Sequence, residues 1–210
     1  MTLKEQVQAI PQEIKDKVES KLQEFNSFKF KTDEDWFSEL CFCILTANSR
    51  AKTAIQIQKD LGFKGFAFHP KTKLVQSIKK NKHRFHNNKA SYIIEARIHH
   101  PIKNKIYQIA EEKGSIHARE WLAKNVKGIG YKEASHFLRN VGYKDLAILD
   151  RHILNTLKEI DVIKEIPKPL NKENYMKIED KFNKIAFLFD MTPAKLDLFL
   201  WYLKTGEVLK

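Results

Sequence analysis

The run Asn125-Val-Lys-Gly-Ile-Gly-Tyr-Lys-Glu-Ala-Ser-His-Phe-Leu-Arg-Asn-Val-Gly142 places the tightest limit on the fold. Helical patterning leads into it and out of it, and only Gly128-Ile129-Gly130 is left to reverse the chain. Two helices joined by so short a turn form a hairpin. A Gly-x-Gly turn also lets backbone approach a ligand closely. The amides that open the second helix lack intrahelical partners and sit at its positive end, so they can receive a phosphate without reading any base. An ordinary connection between two helices has the same sequence, so the turn alone leaves both readings open.

The rest of the chain is patterned for helices. It has seven glycines in 210 residues, none before Gly62, and few segments alternate polar with apolar. Trp36, Phe37, Leu40, Cys41, Ile44 and Leu45 recur on one helical face. Thr32 or Asp33 caps that helix, with acids in its first turn. Further helices are predicted near 11–25, 50–61, 71–80, 88–98, 103–112, 116–126, 131–141, 150–160, 171–188 and 193–204. Thr192-Pro193 starts the last of these, with threonine as N-cap and proline at the first helical position. Gly142 fits a left-handed cap closing the helix after the hairpin. Pro70, Pro101, Pro167 and Pro169 punctuate loops. The expected fold is all-α, two helical lobes with a helix-hairpin-helix motif at the cleft between them. Residues 34–142 are expected to form a helical-barrel lobe with the motif near 116–142. Residues 1–33 plus 143–210 are expected to form the second lobe.

Charge narrows the choice of partner. The 38 Lys and Arg against 26 Asp and Glu give a net charge of +12, which favours a polyanion if the cations cluster. A solvated lysine-rich surface would give the same count. Cys41 and Cys43 are the only cysteines, too few for a four-cysteine zinc or iron–sulfur site. They lie one residue apart in an apolar helix, pointing apart, and read as buried small hydrophobes rather than a disulfide. No signal peptide and no apolar run of membrane-spanning length is visible. A reduced, cytoplasmic location follows as the expectation.

Two residues carry candidate chemistry. Lys132 sits just inside the helix after the hairpin. A solvated lysine is inert, but a lysine partly desolvated at a cleft rim near other cations becomes a usable nucleophile and can form a Schiff base. Asp150 follows the apolar pair Ile148-Leu149. A carboxylate there can stabilise a developing sugar cation and move protons. It can equally cap the helix that starts at Arg151, and the two roles are compatible.

Gly128-Ile-Gly130-Tyr-Lys132, followed by Leu149-Asp150-Arg-His152, resembles the helix–hairpin–helix DNA glycosylase superfamily in its bifunctional, lysine-nucleophile branch. Two more motifs fall in the same order. Ile44-Leu-Thr-Ala-Asn48 is similar to the superfamily's Leu-Ser-x-Gln/Asn element, whose last residue reaches into the space left by a flipped base. Arg84-Phe-His-Asn-Asn-Lys-Ala90 is similar to its Gly-hydrophobe-x-x-x-Lys-Ala loop, whose hydrophobe, here Phe85, wedges into the base stack. The absence of cysteine after Cys43 disfavours the iron–sulfur endonuclease III branch. Lys132 disfavours the alkyl-base branch, and the length leaves no room for the extra β domain of the eukaryotic 8-oxoguanine enzymes. The whole chain resembles the compact type-2 8-oxoguanine DNA glycosylases of archaea and bacteria.

That resemblance implies a bifunctional DNA glycosylase and AP lyase of base excision repair. It would act as a monomer on duplex DNA containing an oxidised purine, with no metal or organic cofactor and no membrane partner. It implies Lys132 as nucleophile, Asp150 as the supporting carboxylate, and Asn48, Phe85, Gly128 and Gly130 as DNA-binding residues. It also implies that Trp201 stacks on the extruded base and that the terminal carboxylate of Lys210 reaches the base edge. That carboxylate would accept from the hydrogen on ring nitrogen 7 of 8-oxoguanine and repel the lone pair of guanine. From the residues alone, Trp201 reads as core, surrounded at helical spacing by Leu196, Leu200 and Leu203. A glycosylase for oxidised pyrimidines and a non-catalytic hairpin DNA-binding protein are the competing readings. Cleavage of an abasic duplex and a comparison of lesions would separate them.

Overall fold

The computed structural model describes residues 2–210, and among them it contains α-helices, short 3-10 turns and no strand. The helices are α1 (Leu3–Gln8), α2 (Gln12–Ser27), α3 (Asp33–Thr46), α4 (Ala51–Phe68), α5 (Lys71–Lys80), α6 (His86–Ala96), α7 (Lys103–Lys113), α8 (Ser115–Asn125), α9 (Tyr131–Asn140), α10 (Arg151–Glu159), α11 (Lys172–Leu188) and α12 (Pro193–Thr205). They divide into two compact units, Phe28–Val141 and Met1–Ser27 with Gly142–Lys210.

The unit Phe28–Val141 is organised around α3. Every residue from Trp36 to Thr46 except Ser38 is buried, so this helix is covered on all sides, as an apolar central helix must be. It packs on α4, α6, α7 and α9. Thr32 is its N-cap, in a capping box with Asp35. Cys41 and Cys43 are buried and form no disulfide, and burial raises the Cys41 thiol well above its ordinary range. One buried acid is accommodated: Glu39 accepts from Asn140 Nδ2 at 2.6 Å and from Gln58 Nε2 at 3.2 Å. The unit begins at Phe28, ahead of the 33/34 boundary that patterning suggests. The reason is polar pinning. Trp36 Nε1 donates to the Phe28 carbonyl at 2.8 Å and Lys103 Nζ to the Lys31 carbonyl at 2.7 Å, so residues 28–33 are tied to α3 and α7.

The second unit is organised around α12, which packs on α1, α2, α10 and α11. Ala194, Leu196, Leu198, Phe199 and Leu200 are buried. Thr192 caps this helix at Lys195 N, with Pro193 in the first turn, and Gly206 closes it at φ 73°. Between the units, α9 ends at Asn140, and Gly142 takes φ 106° as the closing residue. Two elements depart from the sequence expectation. Helix α1 has no strong apolar period and forms on a Thr2–Glu5 capping box. Gly62 does break α4, at φ 54° and ψ −174°, but a further helical stretch to Phe68 follows it, with Phe66 fully buried.

Candidate active site

The hairpin is built from inside the protein outward. Helix α8 ends at Asn125, and Ile129 N bonds the Val126 carbonyl at 3.2 Å, closing a four-residue turn. Gly128 stands at its third position with φ 85°, the place where a turn of this kind needs a residue without Cβ strain. Val126 and Ile129 are buried and anchor the turn. Gly128 has a second reason to be glycine: a Cβ there would lie 2.3 Å from Cδ2 of Tyr92 on α6. Gly130 is different. It has φ −101°, and its Cβ would meet nothing nearer than Glu133 Oε2 at 3.4 Å. Its amide donates to that same Glu133 oxygen at 3.3 Å. The protein therefore occupies one of the amides that sequence reading offered to a phosphate. The following amides of the first turn of α9 remain without intrahelical acceptors. Arg119, fully buried on α8, braces the two helices, with its guanidinium 5.5 Å from the Tyr131 ring centroid and Nη1 3.3 Å from Ser135 Oγ.

Lys132 follows directly. Its side chain is 25% exposed and its Nζ lies 3.4 Å from Glu133 Oε1. That is partial desolvation with one carboxylate in reach. A second lysine stands behind it. Lys89 on α6 is only 4% exposed, and its Nζ donates to the Ile44 carbonyl at 2.6 Å. Burial pulls Lys89 down to about 8; Glu133 works against that shift and Lys132 adds to it.

The last turn of α3 explains how two of the sequence motifs come together. A helix leaves its final carbonyls without internal donors, and here each finds one. Thr46 Oγ1 takes the Cys43 carbonyl at 2.8 Å, Lys89 takes Ile44, His83 Nε2 takes Leu45 at 2.9 Å, and Ser49 N takes Thr46 at 3.1 Å. His83 is buried and its Nδ1 accepts from the Phe85 amide at 3.2 Å, which fixes the Nε2–H tautomer. Burial lowers its pKa. One histidine thus ties the end of α3 to the start of the Phe85 loop. Asn48, exposed, sits just past that end at φ 60°, a conformation asparagine tolerates better than most residues. Phe85 is 40% exposed, with the Arg84 guanidinium 5.4 Å from its ring centroid. Asn48, Phe85, Gly128, Gly130 and Lys132 therefore belong to one unit and are linked through His83, Lys89, Tyr92 and Glu133. His83, Tyr92 and Glu133 do not stand out in the sequence. Lys89 is the lysine of the quoted Lys-Ala motif, in which the family resemblance gives a role only to Phe85. His136 and Arg139, basic residues of α9, are buried and are not surface phosphate contacts.

Asp150, Trp201 and Lys210 belong to the other unit. The segment ahead of Asp150 is non-helical and buried, with Leu146 to Leu149 nearly solvent-free. Helix α11 supplies its missing partners. Tyr175 Oη donates to the Ala147 carbonyl at 2.8 Å and accepts from Leu149 N at 3.3 Å, and Glu179 Oε1 accepts from Ala147 N at 2.9 Å. These two residues, one helical turn apart, fix the approach to Asp150 and carry no sequence signal. Asp150 Oδ1 accepts from Ile153 N at 2.8 Å, so it caps α10. Its other oxygen has no hydrogen bond among the described residues. Two residues on, His152 meets Trp201 edge to face, ring centroids 5.0 Å apart at 83°. Trp201 is half-buried, as are Tyr202 and Leu203 after it but not Leu196 to Leu200 before it, and the tail from Glu207 to Lys210 is half-buried as well. No group of three or more His, Cys, Asp and Glu side chains placed to hold a metal occurs among the described residues.

An all-helical chain with a tight glycine hairpin, a half-buried lysine at its second helix and an aspartate-capped helix in its other unit has the architecture of the helix-hairpin-helix class. Comparison with known proteins is specific within that class. Residues 18–191 match the family described as 8-oxoguanine DNA glycosylase, Ogg-HhH. An 8-oxoguanine DNA glycosylase/AP lyase of Methanocaldococcus jannaschii is 50% identical over 198 residues, 94% of each chain, and one of Thermotoga maritima is 42% identical over 210 residues, 99% of each. The crystal structure of the Methanocaldococcus jannaschii 8-oxoguanine glycosylase/lyase in complex with 15mer DNA containing 8-oxoguanine superposes at TM-score 0.95, with 47% identity and full coverage of both chains. The chain belongs to the 8-oxoguanine DNA glycosylase family.

Proposed function

We propose that this protein is a bifunctional DNA glycosylase and AP lyase that removes 8-oxoguanine from duplex DNA in base excision repair. The observation that carries the reading is Lys132: a partly desolvated amine at the mouth of a phosphate-competent hairpin, in a chain that belongs to this family. Phosphates of the duplex dock on the hairpin at Gly128 and Gly130. The damaged nucleotide leaves the stack at a cost of a few kcal/mol. Phe85 fills the gap, and Asn48 contacts the base left unpaired. Trp201 stacks on the extruded base, and the terminal carboxylate of Lys210 accepts from its ring nitrogen 7.

The neutral amine of Lys132 attacks the anomeric carbon as the glycosidic bond breaks, and the base departs with the bonding electron pair. The Asp150 carboxylate stabilises the cationic sugar. Opening of the sugar ring gives an imine with Lys132. The imine acidifies the adjacent sugar hydrogen, and elimination of the 3′ phosphate cuts the strand. The enzyme works as a monomer in the cytoplasm, on DNA; among the described residues no helix is long and apolar enough to cross a membrane. Borohydride reduction on an 8-oxoguanine duplex tests the reading. Wild type is expected to give a covalent adduct and Lys132→Gln none. An adduct of wild-type yield from Lys132→Gln would exclude Lys132 as the nucleophile, and stronger trapping on a thymine glycol duplex would reassign the substrate.

A further inference from the structure

His83 engages every polar group it has. Its amide donates to the Ile78 carbonyl at 3.3 Å, at the end of α5, and its carbonyl accepts from His86 Nδ1 at 3.2 Å. In the ring, Nε2 donates to the Leu45 carbonyl at 2.9 Å and Nδ1 accepts from the Phe85 amide at 3.2 Å. The residue is 2% exposed. An apolar side chain would fill the same space but would take these partners from the Leu45 carbonyl and the Phe85 amide. A neutral imidazole carries a donor and an acceptor at fixed positions on one rigid ring, so the two bonds hold their targets at a set separation.

Those targets lead to the two exposed side chains of this unit that the glycosylase reading brings into the DNA. Leu45 lies in the last turn of α3, just ahead of Asn48, and that helix is covered on all sides. Phe85 is the N-cap of α6, and its carbonyl accepts from Lys89 N at 2.9 Å. Its ring centroid lies 6.5 Å from that of His83. Asn48 and Phe85 both stand on short non-helical segments, which move independently unless they are tied. We infer that His83 is the positioning residue that couples them: its two ring bonds fix the Phe85 loop against the end of α3, so that Phe85 enters the base stack and Asn48 meets the unpaired base in one step. This coupling rests on the reading of Asn48 and Phe85 as residues that enter the duplex. His83 itself, being buried, takes no part in the chemistry.

Two substitutions separate the bonds. His83→Gln sets an amide nitrogen near the Nε2 position and keeps the Leu45 bond; His83→Asn sets an oxygen near the Nδ1 position and keeps the Phe85 bond. Each is expected to slow single-turnover excision of 8-oxoguanine roughly tenfold, with duplex affinity within about twofold of wild type. Coupling is read from Asn48→Ala, Phe85→Ala and their double. With His83 present, the double is expected to depart from the product of the single losses by roughly tenfold, and with His83→Gln by less than about threefold. A 2-aminopurine beside the lesion reports the wedge, and its fluorescence rise on a saturated duplex should be smaller in His83→Gln than in wild type. Wild-type excision rates from both His83 variants, a departure that His83→Gln leaves unchanged, or an undiminished fluorescence rise would overturn the inference. If His83→Gln does not fold, His83→Asn replaces it in the same cycle. If neither folds, the cycle with His83 present decides: losses that simply multiply would overturn the inference, and a roughly tenfold departure would sustain it. Wild-type excision by both Asn48→Ala and Phe85→Ala would remove the DNA roles of those residues and this inference with them. Slow excision in those two, with the His83 variants at the wild-type rate, would overturn this inference alone.

Discussion

Gly128→Ala is the substitution whose cost follows most directly from the structure, because two separate effects act at one Cβ. The first is local: φ is 85°, and a residue with a Cβ in that region is strained by about 1–2 kcal/mol. The second is an overlap. The new methyl would sit 2.3 Å from Tyr92 Cδ2 and 3.0 Å from Cε2, and driving the ring of a packed helix aside costs about 1–3 kcal/mol. Together they predict a loss of about 2–5 kcal/mol. Gly130→Ala is the control. With φ −101° and nothing nearer than 3.4 Å, it is expected to lose no more than about 1 kcal/mol, the ordinary cost of alanine at an N-cap. Urea unfolding followed by circular dichroism measures both. The same pair in a Tyr92→Ala background separates the effects: Gly128→Ala should then cost about 1–2 kcal/mol, the backbone share alone. If Gly128→Ala and Gly130→Ala are equally damaging, or if removing the Tyr92 ring leaves the Gly128→Ala cost unchanged, the close approach of α6 to the hairpin is not what selects the glycine.

Two further outcomes are expected. Asparagine caps a helix as well as aspartate does, so Asp150→Asn should unfold within about 0.5 kcal/mol of wild type while Asp150→Ala loses about 1 kcal/mol. Single-turnover excision of 8-oxoguanine should fall far more than duplex affinity in both, and equal losses of rate and affinity would remove the catalytic role. Lys89 also makes stability depend on pH. Its folded value, about 8, lies below the ordinary 10.5, so between those values the unfolded chain holds more protons and stability rises with pH. The gain is absent below pH 8 and complete above 10.5, up to roughly 3 kcal/mol. Subtracting the unfolding free energy of Lys89→Gln at each pH isolates it, and a flat difference across that window would show that Lys89 does not titrate there.

The amount readable in the chain differs from one residue to the next. Helices α3 and α12 are legible because their apolar runs are dense and their caps, Thr32 and Thr192, are chemically specific. The helix expected near 50–61 is interrupted at Gly62, but patterning cannot tell that Phe66 would hold a second helical stretch beyond it. Helix α1 is short and almost without apolar period, so only its capping box signals it. Lys132 and Asp150 are legible because their types and order match a family pattern. Tyr175, Glu179, His83 and Tyr92 are not, because each acts on backbone distant in sequence.

By itself the sequence determined the all-helical class, the hairpin, and the order of residues that identifies the family. Those depend on local period, on turn stereochemistry and on residue type, which are properties of neighbours in the chain. Tertiary structure decided why Gly128 is required and Gly130 is not, and which donors finish the last turn of α3. It also decided that one of those donors is a buried lysine of α6. These depend on groups far apart in sequence brought within a few ångströms, where burial makes an unpaired charge or carbonyl costly and so decides which partner each must have.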